Sequence, residues 1–417
     1  MNVLYNLGIN AIKVGAKLAA LRSEKVKKMV EGQSQTFDTL SRNITAGDKG
    51  NIVWIHAASL GEFEQGRPLI EMIKRNMPGQ RILLTFFSPS GYEVRKDYKG
   101  ADVVCYLPFD TPGNVRRFLD MVSPRMAIFV KYEFWGNFLQ ELSRRQVPTY
   151  IISSIFRREQ IFFRPYGGMF RRMLDCFTRI YVQDEASRDL LASIGVRDVT
   201  VAGDTRFDRV SDILAACKPF PVVEKFAASS QQFTFIMGSS WQPDEDIVVP
   251  YFNSHAGMKL IIAPHEFDAE RLEQLKKRMN RPVLLYSEAT EENVANADCL
   301  IIDCFGILSS CYRYAHVAYI GGGFGAGIHN LNEAAVYGIP VIFGPNHAKF
   351  KEAGDLIACG GGFSISGKED FETIADRLLS DSDYLSASGN AAGNYIKSHL
   401  GATRKIYNEI FGSSPEE

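Results

Sequence analysis

The chain has 417 residues, of which 46% are hydrophobic and 23% charged. These are globular proportions, enough for two ordinary domains, and they exclude global disorder. With 47 Lys and Arg against 48 Asp and Glu the net charge is −1, so no overall basic field holds nucleic acid and a polyanion must meet a local patch. The seven cysteines are odd in number and include no C-x-x-C pair, which argues against a disulfide framework and against a cysteine zinc site.

In chain order, the first segment is MNVLYNLGINAIKVGAKLAALRSEKVKK. Lys13 and Lys17 interrupt its apolar stretch, so no run of about 18 uncharged residues is available to span a bilayer, and no small-residue cleavage site follows. Leu4, Leu7, Ala11, Val14, Leu18 and Leu21 share one helical face, while Asn2, Asn6, Lys13 and Lys17 lie toward the other. Residues 1–33 hold six Lys and Arg against two Glu, a local +4. This pattern predicts a helix lying in a membrane interface, with packing on its own domain as the alternative.

Short β-branched runs then alternate with helical stretches. Strands are expected at NIVWIHAAS, RILLTFF, DVVCYLP, MAIFVKYE, TYIISS, RIYVQD and VTVAG, and again at FTFIMGSS, KLIIAPHE, PVLLYSE, CLIIDCFG, HVAYIGGG, PVIFGP and FSIS. Most are apolar on both faces, as strands of a covered parallel sheet are. The alternation predicts an α/β protein with two doubly wound, Rossmann-like domains built from right-handed βαβ units. The expected divisions are residues 1–33 (interface segment), 34–212 (first domain), 222–382 (second domain) and 383–417, a helical segment returning to the first domain. The break is placed at SDILAACKPFPVV, where Pro219 and Pro221 interrupt the pattern. Ligands of such sheets bind beyond the carboxyl ends of the strands, and every motif below ends a predicted strand, so one cleft with the two sheets facing across it is expected.

In WIHAASLGEFEQG the Ser-Leu-Gly-Glu turn leads from strand to helix and presents Glu62, which suits accepting a proton from a substrate hydroxyl. A first-turn glutamate with only a structural role is the plain alternative, and Glu64 is the rival carboxylate. In MAIFVKYEFWGN, Glu133 occupies the same position after another strand, ahead of Trp135 and Asn137. HVAYIGGGFGAGIHNLNEAA has five glycines in seven residues, including Gly325 and Gly327, a loop through which backbone N–H groups reach a phosphate. The acid a dinucleotide site needs about 20 residues later is missing; Glu333 sits near enough to hold a ribose. Gly238, Ser239 and Ser240, with Pro264 and His265, end two more strands and are expected to line the same nucleotide pocket. The D-x-D of Asp244 to Asp246 opens a helix, where acids are favoured anyway, and no metal site is predicted there. Residues 155–180 hold six Arg against Glu159 and Asp175. Arg157, Arg158, Arg164, Arg171 and Arg172, interleaved with Phe156, Phe162, Phe163 and Phe170, suit a phosphorylated amphiphile, with exposed rings meeting acyl chains or sugars. A solvated helix face is the alternative.

Taken together these residues resemble the 3-deoxy-D-manno-octulosonic acid (Kdo) transferases. The S-L-G-E turn looks like that family's turn carrying the catalytic base, and K-Y-E-F-W-G-N resembles its E-x-E-x-W-P-N. S-S-I-F-R resembles an N-x-R segment, G-D-T-R-F-D a G-N-x-K-x-D segment, and G-S-S its G-S-T. A-P-H-E resembles A-P-R-H, and G-I-H-N-L-N-E resembles G-G-H-N-x-x-E, followed by the G-P turn. Lys131, Gly136, Arg206 and Ile328 depart from the pattern. The resemblance implies a GT-B fold and an inverting transfer of Kdo from CMP-Kdo to a lipid A precursor in lipopolysaccharide synthesis, with CMP-Kdo a substrate and no cofactor or metal. It implies Glu62 as general base, Glu133 as the second acid, His329, Asn330 and Glu333 on the donor, and Arg206 on the acceptor side. It also implies work at the cytoplasmic face of the inner membrane, by a peripheral or N-terminally anchored protein with no nucleic-acid partner. Another GT-B nucleotide-sugar enzyme of the cell envelope, a transferase or an epimerase, is the runner-up; a non-catalytic membrane-bound binding protein is the alternative from another class.

Overall fold

A computed structural model describes residues 3–215, 217–229 and 233–412. The chain divides into two compact units, residues 1–209 with 401–417, and residues 210–400. Each is built on one seven-stranded sheet.

The first sheet contains β1 (Ile52–His56), β2 (Arg81–Phe86), β3 (Val103–Tyr106), β4 (Met126–Val130), β5 (Thr149–Ser154), β6 (Arg179–Val182) and β7 (Val199–Val201). Their order is β3-β2-β1-β4-β5-β6-β7, and every pairing is parallel. Both faces are covered, as a parallel sheet requires. Trp54 packs in one apolar layer with Phe118, Phe129 and Phe138. Val53 and Ile55, pointing the other way, pack with Phe63, Ile70 and Ile406. The chain runs outward from β1 to β3 and returns on the far side of β1 with β4. The switch point therefore lies between β1 and β4.

The second sheet contains β8 (Phe233–Ser240), β9 (Met258–Pro264), β10 (Val283–Leu285), β11 (Cys299–Ile301), β12 (Val317–Ile320), β13 (Val341–Phe343) and β14 (Gly362–Ser364). The order is β10-β11-β9-β8-β12-β13-β14, again all parallel, which puts its switch point between β8 and β12. All fourteen expected strands are present. Among the described residues, five non-glycine positions have positive φ, and three of them fall at carboxyl ends of strands: Lys131 after β4, Ser153 in β5 and Ser239 in β8.

The N-terminal segment is two helices, α1 (Val3–Ala19) and α2 (Glu24–Asn43). No break follows residue 33. Helix α2 continues and packs on β3, with Thr36 donating to the Tyr106 carbonyl at 2.9 Å and Leu40 fully buried. Helix α1 is seated by its less apolar side, through Tyr5, Asn6 and Ile9, while Leu4, Leu7, Val14, Leu18 and Leu21 are 58–82% exposed; Asn2 lies outside the described residues. No helix among the described residues is long and apolar enough to cross a membrane.

The division of the chain differs from expectation at both joints. The helix Thr205–Ala215 starts in the first unit and ends in the second, so the prolines at 219 and 221 lie inside the second unit. The C-terminal segment is split. Helix Ser382–Ser398 stays with the second unit, where Gly389 approaches the backbone of Gly338 more closely than a side chain permits and Gly393 packs tightly against it. Only Ala402–Phe411 returns to the first unit. There the Asp208 carboxylate accepts from the amides of Gly401 and Thr403, both at 2.6 Å, and Ile406 and Tyr407 enter the core.

Candidate active site

The switch point of the first sheet holds both expected carboxylates. After β1 the chain turns at Ser59 into α3 (Leu60–Asn76), and Glu62 sits in the first turn, accepting a hydrogen bond from the Ser59 hydroxyl. Unpaired N–H groups at a helix start favour an acid there. Glu64 faces elsewhere, into an ion-pair cluster with Arg95 (3.0 Å), Arg67 (3.8 Å) and Arg209 (3.7 Å). After β4, Lys131 adopts φ 69° and donates its amide to the Ile152 carbonyl at 2.9 Å, which turns the chain so that Glu133 follows.

Glu133 is held in a network that sequence reasoning missed. Its Oε2 accepts from Trp135 Nε1 at 2.6 Å and lies 3.1 Å from Nε2 of His56. His56, the last residue of β1, is fully buried. Its Nδ1 is 2.9 Å from the Thr85 hydroxyl, which in turn accepts from Trp54 Nε1 at 2.8 Å. Thr85 is buried on β2, so three adjacent strands fix one carboxylate. A histidine beside a carboxylate and a hydroxyl can present a proton to the former while accepting from the latter. The available signal was parity: His56 lies two residues from Trp54, on the same face of β1.

The next turn is held from below. Asp110 is fully buried, and its carboxylate accepts from the amides of Asn137 and Phe138, both at 2.9 Å, capping the helix Gly136–Arg144. It also accepts from the Tyr5 hydroxyl at 2.6 Å, and that hydroxyl accepts from the Gly136 amide at 2.9 Å. Burial pushes Asp110 up to about 6, against the lowering effect of these donors. Asn137 reaches Asn6 on α1 at 2.8 Å.

The arginines expected to bind the acceptor do not form one set. Arg157, Arg158, Arg164 and Arg172 are exposed. Arg157 lines an open pocket of about 390 Å³ with Tyr132, and Arg158 another of about 740 Å³ with Phe163, Leu190 and Ile194. Arg171 instead donates to the carbonyls of Arg164 (3.2 Å) and Pro165 (3.3 Å), bracing their turn. Arg206 pairs with Asp204 at 2.8 Å. The expectation of exposed aromatics beside the arginines is overturned: Phe156 and Phe162 are buried and pack with Phe134, and Phe163 and Phe170 are half-buried against the same core. Alternation with arginine disguised a core repeat; the exposed ring is Tyr166.

In the second unit the switch point between β8 and β12 brings together Gly238, Ser239, Ser240 and the glycine-rich loop. Asp244 organises it: one oxygen accepts from Tyr319 at 2.8 Å, the other from the amides of Trp241 (2.9 Å) and Gly322 (3.0 Å). The fully buried Glu245 is held by Ser240 and Arg271. Among the described residues no group of three or more His, Cys, Asp or Glu is placed to hold a metal. The glycines serve close packing more than expected. Gly321 and Gly323 sit against other backbone, Gly322 and Gly327 have positive φ, and the amides of Gly321, Gly322, Gly325 and Gly327 are engaged within the loop's own surroundings. The helix after the loop is one turn, Asn332–Ala335, with Asn330 donating to Glu333 at 3.0 Å.

Three rings meet there. Trp241 stacks on His265 at 4.4 Å, and His329 lies tilted against His265 at 4.7 Å. Trp241 Nε1 lies 3.3 Å from Nε2 of His329; since indole only donates, neutral His329 carries its proton on Nδ1. Burial and the neighbouring His265 hold His329 below the usual histidine range. Pro264 ends β9 just before His265. Trp241, unforeseen from sequence, follows the G-S-S directly.

Comparison with known proteins agrees with this arrangement. Residues 27–209 match the family model of the 3-deoxy-D-manno-octulosonic-acid transferase (kdotransferase). The 3-deoxy-D-manno-octulosonic acid transferase of Bordetella pertussis is 28% identical over 380 residues, 86% of this chain and 86% of that one. The transferase of the same name from Aquifex aeolicus is 27% identical over 337 residues, 79% of this chain and 86% of its own. Among solved structures, a putative UDP-N-acetylglucosamine 2-epimerase from Listeria monocytogenes aligns with TM-score 0.58 at 12% identity, over 88% of this chain and 99% of that one. MurG of Acinetobacter baumannii aligns with TM-score 0.56 at 10% identity, over 86% and 99%. These likenesses show the fold, which is of GT-B type. Both carboxylate turns lie inside the matched domain, and most of the chain is similar to 3-deoxy-D-manno-octulosonic acid transferases at 27–28% identity.

Proposed function

We propose that this chain transfers Kdo from CMP-Kdo to a hydroxyl of a lipid A precursor with inversion at the anomeric carbon. The observation that carries this reading is the pair of carboxylates, Glu62 and Glu133, at the ends of the two strands that flank the first sheet's switch point, inside the matched domain. In the reaction the acceptor oxygen bonds to the anomeric carbon, the bond from that carbon to the phosphate oxygen breaks, and CMP leaves with the electron pair. Glu62 takes the hydroxyl proton as general base. Glu133, fixed by His56 and Trp135, orients the acceptor or the sugar. In the second unit Gly238, Ser239, Ser240, Pro264, His265, Gly325, Gly327, His329, Asn330 and Glu333 serve the donor. His329 Nδ1–H and the Ser239 hydroxyl supply donors to the phosphate as charge develops on it.

The acceptor is a phosphorylated amphiphile on this reading, met by Arg157, Arg158, Arg164 and Arg172 as phosphate ligands. The work is done at the cytoplasmic face of the inner membrane, with α1 as the interfacial contact. Its apolar row from Leu4 to Leu18 faces outward while its less apolar side is docked through Tyr5 and Asn6. A soluble surface helix has the reverse arrangement. The test is purified protein with CMP-Kdo and a tetra-acylated lipid A precursor, products weighed by mass spectrometry. A gain of one or more Kdo masses is expected; an unchanged acceptor, with CMP-Kdo intact, refutes the reading.

A further inference from the structure

Two polar side chains on the docked side of α1 reach the strand-to-helix turn that carries Glu133. The Tyr5 hydroxyl bridges the Asp110 carboxylate (2.6 Å) and the Gly136 amide (2.9 Å). Asn6 accepts from the Asn137 side chain at 2.8 Å. Gly136 and Asn137 immediately follow Trp135, whose indole holds Glu133 at 2.6 Å. These links join residues more than a hundred positions apart, and they are not what anchoring alone requires. A helix that serves only as a lipid anchor needs an apolar face and a tether. This one also closes a hydrogen-bonded turn beside the carboxylate.

We propose that α1 is a positioning element of the active site: Tyr5 and Asn6 clamp Gly136 and Asn137, which directly follow Trp135, and Glu133 takes its working geometry only while α1 is seated. Tyr5 and Asn6 are positioning residues that act through Trp135. The proposal rests on the role given to Glu133 above. Because the same helix carries the exposed Leu4, Leu7, Val14 and Leu18, with Leu21 in the turn after it, a lipid surface that takes up this row also bears on the turn that holds Glu133. The enzyme's competence is thereby linked to its presence on the bilayer.

The experiment uses the full chain with Tyr5→Phe, which removes one hydroxyl and keeps the ring, and separately Asn6→Ala. Turnover is measured with acceptor dispersed in detergent micelles, where delivery to a bilayer plays no part. Catalysis depends steeply on small displacements of positioned groups, so Tyr5→Phe is expected to lower kcat about tenfold or more, with KM for CMP-Kdo unchanged. The second readout is the indole N–H resonances of the three tryptophans, assigned with Trp135→Phe. Tyr5→Phe should displace the Trp135 resonance and leave Trp54 and Trp241 in place. In wild type, adding vesicles of phosphatidylethanolamine and phosphatidylglycerol should move Trp135 again, and in Tyr5→Phe it should not. Wild-type kcat in both variants overturns the proposal. So does lost turnover with an unmoved Trp135 resonance, because the loss then does not pass through Glu133. If wild type fails to transfer Kdo at all, the assigned reaction is wrong, and the resonances still decide whether the clamp exists.

Discussion

Glu62 and Glu133 occupy equivalent places after neighbouring strands, yet their surroundings differ. Glu62 accepts from a single serine hydroxyl, whereas Glu133 is held by an indole and an imidazole. Glu62→Gln should keep the fold and CMP affinity while lowering turnover about a hundredfold or more, the usual size for a lost general base. Near wild-type turnover would move the base to another residue. Asp110 gives a pH signature in the first unit. Its folded value of about 6 exceeds the ordinary 3.8, so the folded state holds the proton more tightly. The stability from that proton is fully present below the unfolded value and is lost as pH rises toward about 6. Wild type should therefore lose stability relative to Asp110→Asn across that window in chemical denaturation. A pH-independent difference would show that the hydrogen bonds offset the burial completely. Positions such as Glu62 and Glu133 were legible because a turn after an apolar strand announces itself within a few residues. His56 was not, since a histidine between apolar neighbours reads as core until its partner, 77 positions away, is known.

At the scale of elements, the strands were legible because each apolar run is local and bounded by turn residues. The helices at the two joints were less so. What decides where residues 382–398 pack is the close approach of Gly389 and Gly393 to Gly338, a contact no local pattern encodes. The Arg/Phe segment shows the same limit: rings that enter a core and arginines that stay out alternate just as a binding surface would. The arginines to test are thus Arg157 and Arg158, which are exposed, rather than Arg171, which braces a turn. Reversing both to Glu changes the charge by four units. At about 1 kcal/mol per basic residue near an anionic surface, binding to anionic vesicles should weaken by well over tenfold, with CMP affinity unchanged. Deleting residues 3–21 should release the protein as well. Co-sedimentation indifferent to both changes would mean that lipid is met elsewhere.

For the molecule as a whole, the proposed placing of the donor on the second unit and the base on the first makes ligand effects separable. CMP at a hundredfold excess over its Kd stabilises the state that binds it by about 2.7 kcal/mol. Added CMP should raise the unfolding temperature more than UDP does, and Glu62→Gln should leave that rise intact. Equal protection by UDP would favour another nucleotide-sugar enzyme of the same fold. Turnover should also persist in excess EDTA, because Asp244 and Asp246 are occupied by protein donors; activity lost and restored by magnesium would overturn that.

The left-handed residues at the strand ends have a consequence for anyone seeking a hardier variant. Lys131, Ser153 and Ser239 each hold a backbone conformation that disfavours a side chain by roughly 1–2 kcal/mol, and glycine would relieve it at an entropic cost of about 0.5–1 kcal/mol. Selection for thermal tolerance alone should therefore drift toward glycine at Lys131 and Ser239, whereas the buried Ser153 hydroxyl is bonded to Thr205 at 2.9 Å. Lys131 and Ser239 adjoin the turn that carries Glu133 and the glycine-rich loop, where on the function proposed above an aimed side chain would meet substrate. Lys131→Gly and Ser239→Gly should raise the melting temperature and lower turnover together, so that heat resistance and speed pull this protein in opposite directions at the same residues.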